Sequence, residues 1–224
     1  MLRNRLLIPF LRFFFKLLYH QFAWTYDWVA AIVSLGQWKS WVLSALPYLH
    51  GPRILEIGHG PGHLQVALRQ RGFQPFGLDE SRWMSRLAYL RLSRSGFIPV
   101  LVNGYAQFMC FPNASFDQVV ATFPSDYIYD SHTLAEIRRV LTPGGELLVL
   151  PLAWLTSPLL LHRLAARLFI VTGESPPPAA RPRAVQHFAD LIRHGGFQVL
   201  AEEIHFDAST VVLLRAFPQE ISGN

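Results

Sequence analysis

The sequence predicts a doubly wound α/β fold: a seven-stranded, mostly parallel sheet that ends in an antiparallel hairpin, with amphipathic helices in front of it. Three observations predict this. Residues 53–57 form a β-branched, apolar run, followed by a turn carrying Gly58, Gly60 and Gly62 and by apolar positions at helical spacing up to Gly72. Further short apolar runs at 74–78, 99–102, 117–122 and 146–150 alternate with helical patterns, the rhythm of βα units on a parallel sheet. Finally, runs at 198–206 and 210–217 flank the short turn 207–209, which makes them an antiparallel pair.

The first strand and its turn are the element around which the rest is organised. A strand, a glycine turn and a helix N-terminus set backbone N–H groups and the positive end of a helix dipole where a nucleotide-like ligand can sit. Spacing separates two cofactor classes. The dinucleotide fingerprint is G-x-G-x-x-G, whereas here the glycines alternate as G-x-G-x-G and Glu56 stands two residues before the first. Asp79 ends the second strand about 20 residues beyond the first glycine, where an acid can accept from ribose hydroxyls. A helix follows over 81–92, for which Asp79 could also serve merely as a cap.

Read together, E-I-G-H-G-P-G at 56–62, G-L-D-E-S-R-W-M at 77–84 and E-I-R-R-V-L-T-P-G-G at 136–145 resemble class I S-adenosylmethionine-dependent methyltransferases of the type 11, ubiquinone/menaquinone-like group. The resemblance covers about residues 50–217 and implies a Rossmann-like sheet with S-adenosylmethionine as cofactor. It implies that Glu56, Gly58, His59, Gly60 and Gly62 hold the methionine end. Asp79 would hold the ribose and Tyr105, Ala106 and Gln107 the adenine, with Glu80, Met84 and Thr122 as further cofactor-binding residues. The chain departs from the family at Tyr105, which replaces the acid expected to receive the adenine amino group and is suited to stacking on the base instead. No catalytic base is identified; His59, His63, His132, Tyr26, Asp126 and Tyr127 are the candidates near the crevice or its lid.

Composition adds a direction. Hydrophobic residues are 51% of the 224 and charged ones 16%, well under the roughly 25% of soluble domains, so some apolar surface meets something other than water. Four of the five net positive charges, on Arg3, Arg5, Arg12 and Lys16, lie before Asp27, and the remaining body is close to neutral in sum. A nucleic-acid binder would carry its basic residues as a patch on the folded domain, so none is expected as a partner. Cys110, the one cysteine, excludes an internal disulfide and is expected to be a buried thiol in a reducing compartment. No His/Cys grouping of metal-ligand type occurs, so no metal is expected.

Residues 1–49 are expected to form an N-terminal apolar and basic helical segment, ahead of a methyltransferase domain over 50–217 that carries an apolar helical insertion at 157–182. On a helical wheel Arg5, Arg12, Lys16 and His20 share a stripe opposite leucines and phenylalanines. Arg12 and Lys16 interrupt the run well short of the ~20 residues a spanning helix needs. Two readings stand: a helix lying in an anionic membrane interface, or a lid packed inward. Three functions follow. They are a cytoplasmic methyltransferase, peripheral on the inner face of the membrane, for a lipid- or quinone-like acceptor; a soluble small-molecule methyltransferase; and a non-catalytic membrane-associated module that retains the fold.

Overall fold

A computed structural model of the chain describes residues 34, 36–156 and 176–219. The sheet has seven strands in the order β3-β2-β1-β4-β5-β7-β6: β1 Ile54–Ile57, β2 Phe76–Asp79, β3 Leu101–Asn103, β4 Phe116–Thr122, β5 Leu141–Leu155, β6 Phe197–Phe206 and β7 Ser209–Pro218. β1 to β5 pair in parallel, and β7 runs antiparallel to both β5 and β6. The helices are α1 Trp38–Leu43, α2 His63–Gln70, α3 Arg82–Arg94, α4 Ser131–Val140 and α5 Arg181–His194.

Period-two alternation along the central strands divides the core between the two faces of the sheet. Leu55, Val119, Ala121, Leu147 and Val149 pack with Leu134 and Ile137 of α4 and Ile192 of α5. Ile54, Val120, Leu148 and Leu150 pack on the other face with Trp41 of α1 and Leu64 and Leu68 of α2. β1 is buried at all four positions because helices cover both of its sides, which is why its apolar residues do not alternate with exposed polar ones; Glu56 is its one polar residue. Trp41 also donates its indole N–H to Ser209 Oγ at 2.8 Å, pinning α1 to β7.

At the amino ends of the strands a buried polar cluster fixes where the chain enters the sheet. Gln118 accepts from the backbone of His50 and Gly51 and donates to Glu146 Oε1 at 2.6 Å, while Arg215 donates twice to Glu146 Oε2. No buried side-chain atom of Gln118 or Glu146 is left without a partner there.

Several boundaries differ from the sequence reading. β5 starts at Leu141 and runs to Leu155, well past 150, because β7 continues to pair with it as far as Leu155–Ser209. The L-T-P-G-G turn is absorbed as a register shift against β4, with Gly144 at φ +77°. α5 begins inside the proline-rich stretch, with Pro182 in its first turn where a missing N–H costs nothing. Cys110 is exposed rather than buried; it sits in the β3–β4 loop beside buried Met109, and the loop turns it outward. The basic stripe in 1–33 and the apolar helix expected over 159–171 lie outside the described residues. Among the described residues no helix is long and apolar enough to cross a membrane.

Candidate active site

Strand order reverses between β1 and β4, and a crevice opens at the carboxyl ends of these strands, the usual ligand position in such sheets. Among the described residues it comprises two adjoining cavities. Trp38, Glu56, Gly58, His59, Gly60, His63, Thr122, Phe123 and Tyr127 are among the residues lining the first. Gly58, Asp79, Glu80, Tyr105, Ala106, Gln107 and Tyr127 are among those lining the second. Gly58 and Tyr127 border both, so the tyrosine forms the waist of the crevice. Its phenol lies 3.4 Å from the Ile57 carbonyl oxygen, and a Cβ on Gly58 would collide with it. Gly58 is therefore required twice, by its φ of +68° and by that approach.

The turn itself is closed upon the protein. The Gly58 N–H donates to Leu78 O, the Gly60 N–H to Asp79 Oδ2 at 2.9 Å, and the Gly62 N–H to His59 O. Asp79 accepts from the Ser81 N–H through its other oxygen at 2.8 Å, so one carboxylate ties the glycine turn to the N-terminus of α3. This corrects the expectation of a shelf of open backbone donors, since the three glycine N–H groups are already engaged. Around the turn stand acids instead. Glu56 is 1% exposed and accepts from Gln65 Nε2 at 2.8 Å. Burial, opposed by that hydrogen bond and assisted by the charge of Asp79, pushes its carboxyl up to about 8.

His59 is also buried. Its Nδ1 lies 2.8 Å from Gly60 O, which requires the proton on Nδ1, and Nε2 is left buried without a partner among the described residues. Burial lowers its pKa and keeps the ring neutral. The ring finds room because position 77 is glycine, where a Cβ would come within 2.8 Å of it.

Ten of the expected cofactor residues thus meet in the crevice, and two do not. Gly62 lets α2 approach α3, since a Cβ there would lie 2.8 Å from Ala88 Cβ. Met84 is fully buried on the inner face of α3 and lines neither cavity. Among the candidate bases, His59, His63 and Tyr127 line the crevice; His132 is exposed beside Asp130, the N-cap of α4, and Tyr26 lies outside the described residues. Sequence reasoning missed Trp38 and Gln65. Phe123 packs at a tilt on Trp38, ring centres 4.9 Å apart, and holds a left-handed φ of +50°, a strained conformation of the kind that collects at functional sites. Phe123 was detectable as a residue just past a strand end; Trp38 reaches it only through tertiary packing.

Residues 55–149 match the profile of a methyltransferase-domain family. Over that stretch, less than half of the chain, it is similar to a methyltransferase domain. Over 149 residues it is 33% identical to the ubiquinone/menaquinone biosynthesis C-methyltransferase UbiE of Bordetella avium, an alignment covering 63% of this chain and 58% of that protein. The UbiE of Ralstonia nicotianae is 32% identical over 150 residues, with 63% and 61% covered. The chain thus spans about three fifths of the length of these relatives. Among solved structures, a SAM-dependent methyltransferase from Aquifex aeolicus aligns with TM-score 0.55 at 15% identity, over 80% of this chain and 89% of that one. A Haemonchus contortus phosphoethanolamine N-methyltransferase, solved with phosphomonomethylethanolamine and S-adenosylhomocysteine, aligns with TM-score 0.54 at 17% identity, over 81% and 52%. At these identities the structural likeness shows the fold alone.

Proposed function

We propose that the chain is an S-adenosylmethionine-dependent methyltransferase whose acceptor is hydrophobic, lipid- or quinone-like, and is met at a membrane surface. One observation carries the cofactor assignment. The glycine turn offers no open glycine N–H but is flanked by Asp79 and by the protonated carboxyl of Glu56, so the crevice suits a ligand with ribose hydroxyls and no pyrophosphate rather than a dinucleotide, whose pyrophosphate needs open backbone donors. The partnerless Nε2 of buried His59 provides a further acceptor beside the turn. The residues present therefore fit the group.

In this proposal Glu56 and the first cavity hold the methionine end, Asp79 and Glu80 the ribose hydroxyls, and Tyr105, Ala106 and Gln107 the adenine. When bound, the cofactor supplies a methyl group already activated by its sulfonium. The chain's own contribution is then alignment and exclusion of water. Trp38 and Phe123 form an apolar wall beside the glycine turn that suits a greasy acceptor. Tyr127 stands at the waist between the two halves, where an acceptor and a methyl donor would meet. Residues 1–49 and the apolar insertion at 157–182 are proposed to complete the acceptor pocket and to touch an anionic membrane, with the protein cytoplasmic and peripheral. UbiE relatives are named for quinone biosynthesis, which supports the acceptor class.

The test is incubation of the purified chain with methyl-labelled S-adenosylmethionine and a bacterial lipid extract, followed by mass analysis. A labelled lipid or quinone heavier by one CH2 unit is the expected product. Label appearing only in water-soluble metabolites would favour the soluble enzyme, and no cofactor binding at all would leave the non-catalytic module.

A further inference from the structure

The near-neutral sum of the chain's body conceals two opposite halves. Residues 57–116 carry Arg69, Arg71, Arg82, Arg86, Arg91 and Arg94 against only Asp79 and Glu80, whereas residues 117–224 carry eight basic and eleven acidic side chains. The structure gathers four of those six arginines on one helix. α3 buries Met84, Ala88 and Leu92 against the sheet and α2, and on its opposite side Trp83, Arg86, Leu90 and Arg94 follow one another at three- and four-residue spacing, a single ridge along the helix. Trp83 is 38% exposed, Leu90 41% and Tyr89 55%. The Arg86 guanidinium lies 5.8 Å from the Trp83 ring centre. Among the described residues Arg82, Arg86 and Arg94 form no ion pair with an acid.

We infer that this outer face of α3 is a docking surface for an anionic phospholipid bilayer. Charge gives the sign of the partner: Arg82, Arg86 and Arg94 stand exposed on a helix that carries no acid, and are complementary to phosphate headgroups. Side-chain chemistry decides between phosphate-bearing partners. Leu90 and Ile98, the latter 78% exposed at the end of the turn after α3, have no π face on which a nucleobase could stack, but they insert readily at the headgroup–acyl boundary, where tryptophan and tyrosine also settle. Position gives the purpose. α3 begins three residues after Asp79, so its first turn, with Arg82 and Trp83, borders the same carboxyl edge of the sheet as Tyr105, which is 62% exposed. A bilayer against α3 holds the crevice mouth at headgroup level, where a hydrophobic acceptor partitions. The surface deepens the membrane-acceptor proposal and rests on it only for that purpose; it is separate from the basic stripe in residues 1–33.

The experiment is co-sedimentation of the full chain with phosphatidylglycerol-containing and with pure phosphatidylcholine vesicles, comparing wild type, R82Q/R86Q/R94Q, L90S and R5Q/R12Q/K16Q. Calorimetry with S-adenosylhomocysteine on each protein reports folding and the cofactor site. The expected result is preference of the wild type for anionic vesicles, weakened about a hundredfold in R82Q/R86Q/R94Q and about tenfold in L90S, with S-adenosylhomocysteine affinity unchanged. R5Q/R12Q/K16Q should retain a residual anionic preference. The inference is overturned if R82Q/R86Q/R94Q binds anionic vesicles as the wild type does. It is also overturned if the wild type shows no anionic preference, or if the substitutions abolish binding of single-stranded RNA while leaving vesicle binding intact. Loss of S-adenosylhomocysteine binding in the wild type would instead sink the methyltransferase reading and leave the vesicle result standing.

Discussion

Asp79 shows how one side chain can act twice. Its carboxylate holds the Gly60 and Ser81 N–H groups, and the residue also lines the second cavity. Asp79→Ala should therefore weaken S-adenosylhomocysteine about ten- to a hundredfold, the scale of a lost charge-assisted bond of about 1.5–3 kcal/mol, and should also lower the melting temperature of the free protein. A binding loss with unchanged melting would show that the turn does not depend on it. Glu56 gives a pH signature. Folding holds its pKa at about 8 against an ordinary 4.5, so the native state keeps a proton that the unfolded chain releases. Its contribution is fully present below about 4.5 and is lost as pH rises toward 8. Glu56→Gln should flatten that fall in a series of denaturant titrations across this window, while weakening cofactor binding; an unchanged slope would refute the assignment. For Tyr105, stacking predicts that Tyr105→Phe is nearly silent and that Tyr105→Ala costs about 1 kcal/mol of cofactor affinity by calorimetry. Equal losses would show that the hydroxyl matters.

At the scale of elements, the E-I-R-R stretch has a use that its motif did not disclose. Arg139 on α4 donates to the carbonyls of Met109 and Phe111, to Asn113 and to Glu136, and Glu136 accepts from the Met109 N–H. The pair clamps the β3–β4 loop just beyond Tyr105–Gln107. Arg139→Ala should destabilise the fold by about 2 kcal/mol in denaturant titration, with little rescue by lysine, which lacks the planar fork. A loss under about 0.5 kcal/mol, the range of ordinary surface changes, would contradict the clamp. The strands, the glycine turn and the hairpin were legible because each follows from local pattern: apolar runs, glycines at turns, a short loop between two β runs. Less was legible wherever long-range contacts decide. The extension of β5 depends on β7, the exposure of Cys110 on the path of its loop, and the wall beside the turn on Trp38 meeting Phe123. Gly62 and Met84 fit a cofactor motif by spacing yet serve the packing of α3, because a consensus records position and not which way a side chain points.

At the scale of the molecule, the fold sets acids at the heart of the crevice and arginines on the outer helix beside it. In the cofactor and bilayer proposals the methyl donor and the anionic surface then meet different parts of the same rim. The central claim is the identity of the cofactor, and titration calorimetry of the wild-type chain with S-adenosylhomocysteine and, separately, with NADH tests it most directly. Saturable binding of S-adenosylhomocysteine with none of NADH is the predicted result. Binding of NADH with indifference to S-adenosylhomocysteine would contradict the account.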